Sequence, residues 1–168
     1  MKSMIKIAVG VALSSLINGA FAHGDEGHAK KSDKHGDGHA SAFGKPGDSR
    51  KVSRTIEVGM NDTMRFFPAD IAVKRGETIR FLVKNDGKVK HEMVLGNSKE
   101  LKEHAELMRK FPEMEHADPN QIAVESGKSG EIIWQFTRAG KVDFACLQPG
   151  HYEAGMIGKV TVVSALGK

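Results

Sequence analysis

The sequence predicts an all-β fold: a Greek-key β-sandwich with one inserted helix, carried by residues 51–168. Three observations predict it. Apolar residues alternate with polar ones over several short runs, the period of a strand with one buried face. Turn-forming residues punctuate those runs. One segment alone breaks the pattern with a helical period.

The chain opens with a segment outside the fold. Lys2 and Lys6 make a positive start, residues 7–17 are almost wholly apolar or small, and Ala20-Phe21-Ala22 has the small-x-small pattern that signal peptidase reads. The apolar run is well short of the ~20 residues that span a bilayer. Residues 1–22 are therefore read as a cleaved signal peptide that sends the protein to the periplasm, with no membrane attachment afterwards. Residues 23–50 hold six Gly, four His and ten charged side chains, with Phe43 as the one large apolar group. Such a stretch cannot offset an ordering cost of ~1–2 kcal/mol per residue, so it is expected to be a disordered His-rich tail.

Within residues 51–168 the alternation falls on Ile56 and Val58, on Ile71 and Val73, on Ile79, Phe81 and Val83, and on Ile132, Trp134 and Phe136. Val89, His91, Met93 and Leu95 alternate after the Asn85-Asp86-Gly87 turn, and Val142, Phe144 and Cys146 share another strand face. Further turns are signalled at Arg75-Gly76, Ser126-Gly127 and Ala139-Gly140. The spacing implies antiparallel strands about one core. The helix is expected over Asn97 to Lys110: Asn97 and Glu100 form a capping pair, Leu101, Ala105 and Met108 share a face, and Phe111-Pro112 ends it.

Composition excludes several functions. A single cysteine rules out an intramolecular disulfide framework and a zinc site of several thiolates. The formal charge of +4 is modest and the basic residues are dispersed among acids, so nothing indicates nucleic-acid binding.

The chemistry lies in Cys146-Leu-Gln-Pro-Gly-His151-Tyr-Glu-Ala-Gly-Met156. One tight loop offers a thiolate, an imidazole and a thioether to a common point. Soft sulfur favours Cu(I) and imidazole holds both oxidation states of copper. His91, on a strand of its own, supplies a second imidazole. Strands far apart in sequence are often neighbours in a Greek key.

The Cys-x4-His-x4-Met loop with its upstream His, preceded by Phe67-Pro68 and by Val73-x-x-Gly76-Glu77-Thr78-Ile79-x-Phe81, resembles the cupredoxin family of small blue copper proteins over residues ~52–164, a span that suits one sandwich domain. The resemblance implies one type 1 copper, with His91, Cys146 and His151 as equatorial ligands and Met156 as the long axial one. The His-rich leader, the His91-Glu92-Met93 step, the inserted helix and the full Cys146–Met156 loop also resemble CopI-type periplasmic cupredoxins, a family associated with bacterial copper tolerance. Glu92 departs from the Asn that often follows the first histidine in azurin- and plastocyanin-like relatives, which puts the usual hydrogen bond between the two ligand loops in question.

Other soft side chains have two readings each. Met93 belongs to the core beside His91. Met60 and Met64 flank a turn and either offer thioethers to Cu(I) or fill a core edge. His104 and Met108 stand one helical turn apart, with Met114 and His116 just beyond, as a second copper site or as ordinary helix composition. His23, His28, His35 and His39 are expected to gather extra copper weakly, with His23 as the mature N-terminus. Pro149, Tyr152 and Ile157 are expected to rim His151, a small patch suited to brief contact with a redox partner.

The function so implied is copper tolerance in the periplasm, by binding and redox cycling of copper ions. The alternative is electron transfer between periplasmic redox partners. An enzyme is not expected: a trinuclear copper centre needs many more paired histidines and no His-x-His occurs, and a binuclear site of the oxidase-subunit kind lacks its second cysteine.

Overall fold

A computed structural model describes residues 41–112, 114 and 118–164. The expected signal peptide, the four tail histidines His23, His28, His35 and His39, and His116 lie outside these residues. The described strands are β1 (Gly44–Pro46), β2 (Arg54–Asn61), β3 (Arg65–Phe67), β4 (Asp70–Lys74), β5 (Thr78–Asn85), β6 (His91–Gly96), β7 (Gln121–Val124), β8 (Ser129–Phe136), β9 (Gly140–Ala145) and β10 (Ile157–Val163). Helix α1 (Ser98–Lys110) is inserted between β6 and β7.

The strands form two five-stranded sheets, in the orders β1-β8-β5-β2-β3 and β4-β10-β9-β6-β7. Alternating residues of each sheet turn inward and meet in one core. Val58, Ile79, Phe81, Val83, Ile132, Trp134 and Phe136 come from the first sheet, and Ile71, Val73, Met93, Leu95, Val142, Phe144, Val160 and Val162 from the second. Phe66 packs edge-to-face on Phe144 with ring centroids 4.9 Å apart, a favoured aromatic geometry. The Greek-key sandwich expected from the alternation is thus present.

Three expectations need correction. The sheets are not wholly antiparallel, because β2 runs parallel to β5 and β4 parallel to β10. The chain leaves the first sheet after β3, so β4 joins the other sheet beside β10. The tail boundary at residue 50 is also too late: β1 pairs with β8 through Gly44↔Phe136 to Pro46↔Trp134, and Asp48 caps a short 3-10 turn at Ser49–Lys51. Phe43 supplies the apolar anchor that composition alone does not reveal, packing on Trp134. Finally, Val89 does not share the inward face of β6; it precedes the strand and is 44% exposed.

The helix forms as the sequence predicts. The Asn97 side chain accepts the Glu100 N–H, Glu100 reaches back to the Asn97 N–H, and Phe111 closes the C-terminal end. Leu101, Ala105 and Met108 cover Val94 and Ala145 on the outer face of β6 and β9. Those two strands, which carry or lead to His91 and Cys146, are therefore apolar on both faces where the helix lies.

Candidate metal centre

His91 opens β6 and is fully buried, paired in register with Val124 of β7. Cys146 follows the last residue of β9. Phe144 faces the core and Ala145 the helix, so the period of two turns the Cys146 side chain inward, where it is fully buried. The chain then makes a compact loop of turns: His151 N–H donates to Gln148 O, Ala154 N–H to Gly150 O and Met156 N–H to His151 O. Gly150 and Gly155 both have φ of 85°, the left-handed conformation that costs glycine little. The Cys146 N–H donates to Met156 O at 3.1 Å, closing the loop and seating the buried Met156 in the same core cluster as Cys146. From outside, Arg65 Nη1 donates to Ala154 O at 2.9 Å.

The loop and β6 bring their donors together. His151 Nδ1 lies 3.2 Å from His91 Nδ1 and 3.2 Å from Cys146 Sγ, and Cys146 Sγ lies 4.0 Å from His91 Nδ1. One donor atom from each of the three residues falls within 4.8 Å of the others. Two imidazole nitrogens and a sulfur, with a thioether buried beside them, are a donor set that suits copper. Among the described residues, all four side chains expected to bind copper thus gather in one place.

The electrostatics fit the same reading. Burial pushes the Cys146 thiol from 9.0 up to about 12, although the backbone N–H groups of Glu92 and Gln148 oppose the rise. The thiol therefore stays protonated at neutral pH until a metal displaces its proton. Burial, then the charge of neighbouring His91, hold the half-buried His151 below the ordinary histidine value. On the far side of His91, Nε2 lies 3.2 Å from Asp62 Oδ1. Asp62 sits below the usual carboxylate range, chiefly because it accepts the Lys88 N–H. An ionised carboxylate can only accept, so this contact calls for a proton on Nε2 and leaves Nδ1 as the ring nitrogen that faces Cys146 and His151.

Glu92 links the two ligand segments after all. Its carboxylate accepts the Leu147 N–H at 2.9 Å and the Gln148 side-chain amide at 3.3 Å, and its own N–H donates to Cys146 Sγ at 3.4 Å. A carboxylate oxygen thus spans the gap that the absence of Asn put in question. Asp62 was not singled out in the sequence. It reads there only as part of an Asn-Asp-Thr turn, with its partner 29 positions away.

The remaining candidates divide. Met60 and Met93 are buried core residues, and Met64 packs partly buried against the core. Met108 is buried beneath α1, which takes it out of a second, exposed copper site; His104 is partly buried and Met114 is 38% exposed. Pro149 and Ile157 are exposed, whereas Tyr152 packs against the cluster beneath α1.

Comparison with known proteins places this architecture. The family model of copper binding proteins of the plastocyanin/azurin family matches residues 50–163. The chain is 53% identical over 149 residues to the copper-resistant cuproprotein CopI of Rubrivivax gelatinosus, covering 84% of this chain and 87% of that protein. It is 40% identical over 153 residues to the protein of the same description from Pseudomonas aeruginosa, covering 74% and 84%. Auracyanin B shares the fold at a TM-score of 0.59 and 21% identity, over 72% of this chain and 96% of that one. Auracyanin A, a "blue" copper protein from Chloroflexus aurantiacus, aligns at a TM-score of 0.54 and 26% identity, over 64% and 97%.

Proposed function

Since the chain belongs to the plastocyanin/azurin family of copper-binding proteins and is a cupredoxin like the CopI copper-resistance proteins, we propose that it acts in copper tolerance in the periplasm, holding copper at His91, Cys146, His151 and Met156 and cycling it between Cu(I) and Cu(II). The observation that carries this reading is the convergence of two imidazoles and one thiol, donor atoms within 4.8 Å of one another, at a site whose cysteine and first histidine are fully buried. Copper held there supplies a one-electron couple. The protein's part is to keep the donors fixed through that change: His91 by its strand, Cys146 by the Glu92 N–H, and His151 and Met156 by the turns of the loop. Such a site binds and stores rather than transforms a substrate, so the protein is read as a binding protein and not an enzyme. The export signal read at residues 1–22 supports the periplasmic location, and no described helix is long and apolar enough to cross a membrane.

One observation favours the alternative of electron transfer. His151 is only half-buried, and Pro149 and Ile157 lie exposed near it in the sequence, offering a small apolar patch for brief docking of a redox partner. Deleting the gene separates the two. Copper sensitivity with normal respiratory growth is expected, and restoration by the wild-type gene but not by Cys146→Ser ties the phenotype to the site. Normal copper tolerance with impaired respiration would replace the first reading with the second.

A further inference from the structure

We infer that Asp62 is the positioning residue of the buried ligand imidazole, holding His91 with Nδ1 toward the copper and favouring Cu(II) over Cu(I). The inference rests on copper binding at His91 but not on the choice between tolerance and electron transfer.

The carboxylate is built into place from several directions. Asp62 stands in the turn from β2 to β3, whose shape Asn61 sets by accepting the Thr63 N–H and hydroxyl. The Asp62 side chain leaves that turn toward the segment that enters β6, whose own N–H groups hold it in place. There it accepts the Lys88 N–H at 3.0 and 2.9 Å and the Val89 N–H at 3.4 Å, while Oδ1 meets His91 Nε2 at 3.2 Å. That segment is itself fixed. Fully buried Asn85 donates to Val89 O and Val124 O and accepts the Gly87 N–H, and Ser126 Oγ donates to Gly87 O. Gly87 is required beside the carboxylate, since a Cβ there would overlap Asp62 Oδ1.

A rigid anionic acceptor on Nε2–H does two things. It selects the tautomer and ring orientation that leave Nδ1 free, and it makes Nδ1 a stronger donor. A negative charge on that side also favours the more highly charged oxidation state of a bound metal, by Coulomb's law.

The test compares wild type with Asp62→Ala, Asp62→Asn and, as a control, Asn61→Ala, which loosens the same turn without touching His91. In the metal-free proteins, long-range proton–nitrogen NMR reads the His91 tautomer. In the copper-loaded proteins, voltammetry reads the reduction potential. Asp62→Ala is expected to lose the single Nε2–H tautomer and to lower the preference for Cu(II) over Cu(I) about tenfold, taking the roughly tenfold affinity loss that removing such a partner costs as falling on Cu(II). For a one-electron couple that is a rise of about 59 mV. Asp62→Asn keeps an accepting oxygen but not the charge, and is expected to shift in the same direction by less; Asn61→Ala is expected to leave the potential in place.

The inference is overturned if Asp62→Ala retains both tautomer and potential, or if Asn61→Ala shifts the potential as far. Should Asp62→Ala fail to fold, an unchanged potential in Asp62→Asn overturns it. Failure of copper binding itself would show differently, as a wild type without a Cys146-dependent visible band.

Discussion

Glu92 and Leu147 are joined across the metal centre, the Glu92 carboxylate accepting the Leu147 N–H at 2.9 Å. Leu147 is buried, so this N–H depends on a protein partner. The Glu92 N–H in turn donates to Cys146 Sγ at 3.4 Å. One side chain and one amide thus lock the strand carrying His91 to the loop carrying Cys146 and His151.

Glu92→Ala, which leaves the Leu147 N–H without its acceptor, is expected to destabilise the fold by about 1–3 kcal/mol. Glu92→Gln keeps an accepting oxygen and is expected to stay near wild-type stability. Losing the negative charge beside the sulfur should raise its reduction potential. Chemical denaturation and voltammetry check the pair, and a Glu92→Ala protein as stable as wild type would show that the link holds nothing together.

Copper affinity is expected to climb about tenfold per pH unit from neutral pH toward about 12, because binding must release the proton of a Cys146 thiol pushed up to about 12. His151, held below the ordinary histidine value, stays unprotonated at neutral pH and steepens the dependence only in acid. A chelator-competition titration across pH reads both regions.

Stability of the metal-free protein should change on the alkaline side. Below the ordinary thiol value of 9.0 the folded and unfolded thiols are both protonated and nothing is lost. As pH rises toward 12 the unfolded chain ionises first, so stability falls through that window. Cys146→Ser is expected to abolish this alkaline loss along with the tightly held copper. A serine variant that melts at alkaline pH like wild type would show that the buried thiol is not the cause.

Met108 tests the role of the inserted helix. Truncation to alanine beneath α1 is expected to cost about 2–5 kcal/mol and leave copper stoichiometry unchanged, since the side chain belongs to the layer over Val94 and Ala145. Loss of a bound copper in the folded variant would instead restore the second-site reading.

What the sequence disclosed follows from the range of its signals. Strands with long alternation, such as β5 and β8, and the helix with its Asn97–Glu100 cap declare themselves within about ten residues. Three of the four ligands share one loop, so their chemistry is equally local. Asp62 and Phe43 act on partners far along the chain, and nothing beside them in the sequence points to those partners. Pairing partners are not encoded in a period of two, which is why β2 beside β5 and β4 beside β10 came out parallel against expectation. Glu92 put the link between the ligand loops in question for a chemical reason: the residue type differs from Asn, and only the folded geometry shows that its carboxylate makes the bond.

Phe43 provides the sharpest test of where the folded domain begins. Its ring lies 5.4 Å from that of Trp134, and the residues after it hydrogen-bond along β8, with the Gly47 N–H donating to Ile133 O. Removing an aromatic ring from a packed site costs about 3–5 kcal/mol, and at 8% exposure Phe43 is expected to fall near the lower end. Phe43→Ala should also let water reach Trp134, the chain's one tryptophan, and shift its emission to the red. The copper spectrum should stay as it is, because β1 belongs to the other sheet from β6 and β9, which lead to His91 and Cys146. If stability and emission both remain at wild-type values, the segment before residue 51 contributes nothing to the fold, and the boundary drawn from composition is the right one.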